Sequence, residues 1–462
     1  GDFSALLNLG PAYQIYDPAT RTAAPGGLFQ VQPFPNNIIP ADRISPIAKN
    51  VLKFISAPNT AGTADGGNNL NRTSEQERLN YNNYIVRLDH NFGQNHRMFG
   101  RYNQYRRQST YNDWFRSAAS GGITDWPQNA FTLDDVYTLS PSTVLNVRYS
   151  FYRLSIGQKP SDASRGFDLT TLGLPSSLND ATGVSERAFP FFNIQGYFST
   201  YDGYYEHNHQ NHNLEGNLTS LRGNHTLKVG ADARQYRTFD VEPGTSTTGN
   251  FQFDSSWTRG PFNTSAAAPR GQALASFLLG LPTGGRVDRN ATYAEQSTEY
   301  SVFFHDDWRI TPRLTLNLGV RWEFESPLTE RFNRSVRGYD FQTPNPLEAQ
   351  AKANYALNPI PELPVSDFRF TGGLTFPGVN GLPRELWNRQ MGNIMPRFGF
   401  AYSLNPKTVL RGGYGIYYGP LGARQTDVIL TGFSQSTPLI PSLDNGLTFV
   451  ATLANPFPNG IQ

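Results

Sequence analysis

The densest group of side chains able to do chemistry is the run EHNHQNH, with Glu206, His207, His209 and His212. Residues two apart on a strand share a face, so His207 and His209 form a candidate two-imidazole site for a divalent metal. The plainer reading is a polar strand end near an extracellular rim; no metal beyond that pair and no cofactor are expected. Two pairs of adjacent carboxylates, Asp134–Asp135 and Asp306–Asp307, suggest acid/base catalysis. Neighbours on a strand point to opposite faces, so neither pair can flank one bond, and the chain is expected not to be an enzyme. GGYGIYYG (412–419) contains a G-x-G but has no helix after it, which rejects a dinucleotide loop; its glycines suit a crowded, curved strand.

The elements that must position these residues are strands. In the stretch from Tyr300 to Phe324, Leu314, Leu316, Leu318, Val320, Trp322 and Phe324 share one parity, and Thr315, Asn317, Gly319, Arg321 and Glu323 share the other. Such a run fits a strand with lipid on one side and a wet lumen on the other. The preceding run alternates too, with Tyr300, Val302, Phe304 and Trp308 on one face, but Asp306 falls among them. A carboxylate there is tolerated only close to the membrane interface. Thr311, Pro312 and Arg313 make the turn.

Four more hairpins have the same form, giving pairs near 84–108, 130–157, 209–237, 299–325 and 397–418. Their turns are GQNH (93–96), SPST (140–143), RGNH (222–225) and NPK (405–407), besides the one at Pro312. Turns of about three or four residues alternate with connections of about twenty to seventy, the layout of an outer-membrane barrel. The predicted fold is therefore all-β: an antiparallel transmembrane β-barrel, partial, of about ten strands in five hairpins with long extracellular loops. Residues 1–80 are expected to be an exposed extracellular loop region with a short helix near Ile44–Phe54, 81–420 the barrel portion, and 421–462 the start of the next extracellular loop. A short strand pair is expected within Phe189–Phe198, and a short helix over ALASFLLGLP (273–282) against the barrel or its mouth.

Strand parity then divides the side chains. Leu145, Val147, Leu227, Val229, Leu314, Leu316, Leu318 and Val320 are expected to face lipid. Arg87, Asp89, Arg101, Arg148, Lys228, Asp232, Arg234, Arg321, Glu323 and Arg411 are expected to face the lumen, where they contact a plug or line a path.

Composition narrows the class. The 462 residues include 23 Tyr, 32 Phe, 43 Gly and 33 Pro, with 16% charged residues, and the mean hydropathy is −0.49. Polar on average yet rich in aromatics and glycine, the chain suits many strands and long loops. The formal net charge of +2 is spread without a basic block, so no nucleic-acid partner is implied. Zero cysteines exclude a disulfide scaffold and thiolate metal sites. No apolar run reaches the roughly eighteen residues of a transmembrane helix, a test to which membrane strands are invisible. The sequence opens at Gly1 without a signal-peptide pattern and reads as a piece of something longer.

Several stretches resemble the TonB-dependent receptors of the outer membrane, in particular the large Oar-like branch abundant in Acidobacteria and myxobacteria. They are GDFSALL (1–7) with IYDP (15–18), FPNNIIPADRISPIAKNVL (34–52), YIVRLDHNFGQNHRMFGRY (84–102), FHDDWRITPRLTLNLGVRWE (304–323) and MPRFGFAYSLNPKTVLRGGYGIYYG (395–419). Their order and spacing match as well, so the resemblance covers nearly the whole chain. It implies a Gram-negative cell outer membrane, contact with its lipid, and a larger parent with a plug domain and a barrel of about twenty-two strands. The parent would contact TonB through an N-terminal and plug region absent from this sequence. The implied function is the barrel portion of a receptor importing a small-molecule or glycan ligand, be it a siderophore, an oligosaccharide or a peptide. The alternatives are an Oar-type surface or adhesion protein without import, and a soluble glycan-binding or glycan-cleaving β-domain.

Overall fold

A computed structural model describes residues 1–71, 77–200, 203–241, 243–244, 246–423 and 428–462. Residues 72–76 and 424–427, which belong to the expected loop regions 1–80 and 421–462, lie outside the described residues. Ten long strands dominate: β1 (Arg78–Asn91), β2 (His96–Tyr111), β3 (Gly122–Ser140), β4 (Thr143–Pro160), β5 (Tyr205–Arg222), β6 (His225–Val241), β7 (Tyr293–Thr311), β8 (Leu314–Glu325), β9 (Asn393–Asn405) and β10 (Thr408–Gly415). Each pairs antiparallel with its neighbour in sequence, and Thr329–Glu330 adds a short extra pairing to β7. Among the described residues β1 and β10 do not pair with each other, so the sheet is an open meander.

One parity carries through all ten strands. Val86, Tyr102, Phe131 and Phe151 stand in one cross-strand row on the apolar face, and Val229, Phe304 and Val320 in another. Register slips by one residue would invert every side chain, so ten strands in phase fix the sheet. The first four hairpins run longer than expected, over 78–111, 122–160, 205–241 and 293–325, and β10 stops at Gly415 rather than Tyr418. Hydrophobic alternation fades where strands become polar on both faces, as at Glu206, His207, Asn208 and His209, while the backbone ladder continues. The first connection accordingly shrinks to 112–121.

The turn-proximal rim explains Asp306. His225 opens β6 directly after its turn, binds Asp306 at 2.7 Å, and stacks on Trp308 with ring centroids 5.2 Å apart. The first hairpin repeats the device: His96 opens β2, binds Asp135 at 2.6 Å and lies 5.2 Å from Tyr137. In both, the residue after the aromatic donates its backbone N–H to the asparagine before the histidine, Thr138 to Asn95 and Arg309 to Asn224.

At the opposite end the connections and the chain's first residues fold together, which corrects the expectation that 1–80 is an exposed loop. Tyr16–Ala24 pairs with Leu28–Pro33, and a helix runs from Pro46 to Leu52, capped by Ser45. Phe3, Ile15, Phe34, Ile39 and Val51 are buried with Phe189, Phe192, Phe251, Phe277 and Leu453 in one hydrophobic core to which none of the ten long strands contributes. The helix Gln272–Leu278 sits in this core, with Phe277 fully buried. The strand pair Phe191–Ile194 and Phe198–Ser199 joins Asn250–Phe253, Gly284–Arg289 and Gln435–Pro438 in a five-stranded sheet assembled from three separate segments. The proline-rich tail is therefore docked. Buried polar side chains tie the segments: Asn37 donates to the Phe3 and Tyr13 carbonyls, and Gln272 to those of Ala12 and Gln14. Satisfied buried amides of this kind hold unrelated segments in one arrangement.

Candidate functional site: the charged inner face

On the polar face one register row crosses eight strands: Asp89, Phe99, Asp134, Arg148, Glu215, Asp232, Ser301 and Glu323. Arg148 bridges Asp134 at 2.6 Å and Glu215 at 3.2 Å. Asp232 receives Arg321 at 2.8 Å, Arg234 at 3.3 Å and the Ser301 hydroxyl. Arg321 also holds Glu323 at 2.5 Å, and Arg234 lies 3.8 Å from Glu299. The carboxylates are well shielded: the Asp134, Asp232 and Glu299 side chains are 6%, 6% and 3% exposed. Buried carboxylates persist as ions only beside such donors.

Of the residues predicted for this face, Arg148, Asp232, Arg234, Arg321 and Glu323 converge, joined by Asp134, Glu215, Glu299 and Ser301. These partners carried a signal in the sequence, since each has the same parity as its charged neighbour on the adjacent strand. Arg87 and Asp89 pair with each other at 2.7 Å on the outermost strand, with Arg87 over the Phe99 ring at 3.8 Å. Arg101 and Arg411 share the face but stand outside the ladder. Lys228 lies over Phe303 at 5.9 Å, and Arg321 over the same ring at 5.8 Å, so an aromatic ring sits among the cations. Gly230 makes room for it, because a Cβ there would meet Phe303 at 2.5 Å.

The adjacent carboxylates separate as strand geometry requires: Asp134 joins Arg148 while Asp135 joins His96, and Asp307 joins His305 at 2.9 Å while Asp306 joins His225. His207 and His209 do share the polar face, yet His207 is bound to Asp240 at 2.5 Å and His209 to the Thr238 hydroxyl at 3.1 Å. His212 takes the other face, beside Tyr149 at 2.8 Å. Among the described residues no three metal-ligating side chains converge.

Toward the loop end the polar face is covered. Along β7, Tyr293, Glu295, Ser297, Glu299 and Ser301 are all buried, whereas Tyr300 and Val302 on the opposite face are 47% and 50% exposed. Part of the cover is the chain after β10, whose Leu421 and Gly422 amides donate to Glu325. Leu145, Val147, Leu227, Val229, Leu314, Leu316, Leu318 and Val320 share the opposite, apolar face of the sheet.

Comparison with known proteins gives one family: a model described as an outer membrane beta barrel domain matches residues 1–462. Among solved structures, the chain is similar to the outer membrane transporter YddB from Escherichia coli, with 12% identity and a TM-score of 0.43 over 79% of this chain and 35% of that one. It is also similar to the alcaligin outer membrane receptor FauA from Bordetella pertussis, with 10% identity and a TM-score of 0.38 over 76% of this chain and 37% of that one. A third likeness is to the open form of the ferric-catecholate import receptor Fiu from E. coli K12, with 11% identity and a TM-score of 0.37 over 75% of this chain and 48% of that one. The chain thus spans 35 to 48% of the length of these structures. No curated protein matches it.

Proposed function

Since the chain belongs to the outer membrane β-barrel domain family and resides in the cell outer membrane in contact with its lipid, we propose that it is the barrel portion of a TonB-dependent receptor of the Oar-like branch. Its apolar face, with Leu145, Val147, Leu227, Val229, Leu314, Leu316, Leu318 and Val320, meets the hydrocarbon. Its polar face lines the lumen. The parent supplies the plug and the TonB contact through its N-terminal part, and the imported ligand is a siderophore, an oligosaccharide or a peptide captured by the extracellular segments.

The observation that carries this reading is the inner ladder from Asp134 to Glu323. Five carboxylates, those of Asp134, Glu215, Asp232, Glu299 and Glu323, face the three guanidiniums of Arg148, Arg234 and Arg321. A merely structural wall has no need of so many shielded charges, whereas a surface that grips a polar plug or passes a polar solute does. A second reading, a surface or adhesion protein without import, is favoured by the burial of the polar face along the loop end of β7, from Tyr293 to Ser301.

The deciding measurement is accumulation of labelled ferric chelates, oligosaccharides and peptides by cells carrying the full-length parent, with and without TonB. Uptake that stops when TonB is deleted supports import. Ligand held at the surface equally in both strains overturns import in favour of adhesion.

A further inference from the structure

A cavity of about 700 Å³ opens on the apolar side of the sheet, not the ladder side. Arg153, Gln210, Arg237 and Gln296 line it and stand in one register row across β4 to β7. Arg153 shares the parity of Val147, Arg237 that of Val229, and Gln296 that of Val302, so the row continues the apolar face upward. Arg331 and Arg384 from the connection after β8 complete the lining.

The four arginines differ from those of the inner face. Among the described residues none of Arg153, Arg237, Arg331 and Arg384 has a carboxylate within ion-pair distance. Arg237 donates to the Gln296 side chain at 3.0 Å, and Arg384 to Asn333 and to the Glu330 and Arg331 carbonyls, all neutral acceptors. Of the acids in the lining, Glu206 is held by Lys159 at 3.3 Å and Glu295 is buried on the other parity. The cavity is therefore cationic, with guanidinium forks suited to phosphate oxygens.

Directly below, a second hollow of about 420 Å³ is apolar. Gly216, Ala231 and Ala233 form its floor, and Val147, Leu214, Tyr300, Val302 and Trp322 its walls. The arginine row lies four residues beyond the row of Tyr149, Leu214, Ala233 and Tyr300, about 13 Å along tilted strands. That separation puts the guanidiniums at headgroup height above a hydrocarbon-level groove.

We propose that the outward face of β4 to β7 holds one phosphorylated lipid of the outer leaflet, its phosphate on Arg153, Arg237, Arg331 and Arg384 and an acyl chain in the groove over Gly216, Ala231 and Ala233. The proposal rests on the reading that this face meets lipid. Cation and groove are both needed: a free phosphate uses only the first and an ordinary neutral lipid only the second.

The test is native mass spectrometry of the purified full chain in detergent, titrated with diphosphorylated lipid A, its dephosphorylated form and inorganic phosphate. One lipid A per chain is expected, at least tenfold weaker after dephosphorylation, and at least tenfold weaker in Arg153→Gln/Arg237→Gln. Ala231→Leu, which fills the groove, is expected to weaken lipid A without changing capture of inorganic phosphate. Heat-modifiable gel migration checks that each variant is folded. Equal binding of the dephosphorylated lipid, wild-type affinity in the double variant, or inorganic phosphate competing as strongly as lipid A each overturns the proposal. The underlying orientation has its own readout: unchanged bilayer stability in Val229→Arg removes the lipid-facing reading itself.

Discussion

Glu215 and Asp232 stand directly opposite each other on β5 and β6, two carboxylates in a single cross-strand pair turned to the same face. Like charges so placed repel. They are tolerated because Arg148 holds Glu215 from one side and Arg321 holds Asp232 from the other. Removing one cation from a buried pair costs about 3–5 kcal/mol, and partial solvent access lowers this, so Arg321→Met is expected to cost about 2–3 kcal/mol. Asp232→Asn in the same chain should return part of that loss. Urea unfolding in lipid vesicles measures both, and strictly additive single-variant effects would show that the two residues do not act together.

Leu318 lies on the uncovered apolar face, opposite Phe398 on one neighbouring strand and Asp306 on the other. Arginine on the lipid side of a barrel strand costs about 2–4 kcal/mol at the bilayer midplane and about 0–1 kcal/mol near the interface. Leu318, level with Asp306 toward the turn-proximal rim, lies between the two, so Leu318→Arg is expected to cost about 1–2 kcal/mol. Gly319→Ser, one residue away on the ladder side, should cost far less in the same vesicle assay. Equal stabilities for Leu318→Arg and the unaltered chain would reverse the assignment of faces.

The division into two faces was legible in the sequence because a strand repeats every two residues, so Leu314 to Phe324 could be sorted without knowing their neighbours. Phe303 and Phe99 were not expected among the charges, since an aromatic residue at polar parity finds its place only through cations on adjacent strands. Arg153 and Arg237 lie within the expected hairpins, but their cluster is illegible locally because the two arginines that complete it, Arg331 and Arg384, come from the connection after β8. The loop domain was the least legible part. Phe34, Phe192 and Phe277 meet across long sequence separations, and no local period announces contacts of that kind.

Phe277 is fully buried at the centre of the loop domain, 5.2 Å from Phe253 and 6.1 Å from Phe192 between ring centroids. Phe277→Ala leaves a cavity there and is expected to cost the loop domain about 3–5 kcal/mol. Because none of the ten long strands contributes to that core, the sheet should survive. Limited proteolysis should then cut within 161–204 and 242–292 while the strands keep heat-modifiable migration. Loss of the folded sheet in this variant would mean that the two parts form one cooperative unit.

Asp444 closes the tail against itself, accepting the Thr448 amide at 2.9 Å and the hydroxyls of Thr448 at 2.7 Å and Ser442 at 2.8 Å. These donors hold its carboxyl down at about 2. A carboxyl lowered in the folded chain contributes stability above its ordinary value of about 4, and the contribution fades as pH falls toward the folded value. The tail loop is therefore expected to tighten between about pH 2 and pH 4 and to stay constant above. Hydrogen exchange at the Thr448 amide reads this directly: protection should fall on acidification in the unaltered chain and be low at every pH in Asp444→Ala. A Thr448 amide equally protected in both chains at neutral pH would remove Asp444 from this role.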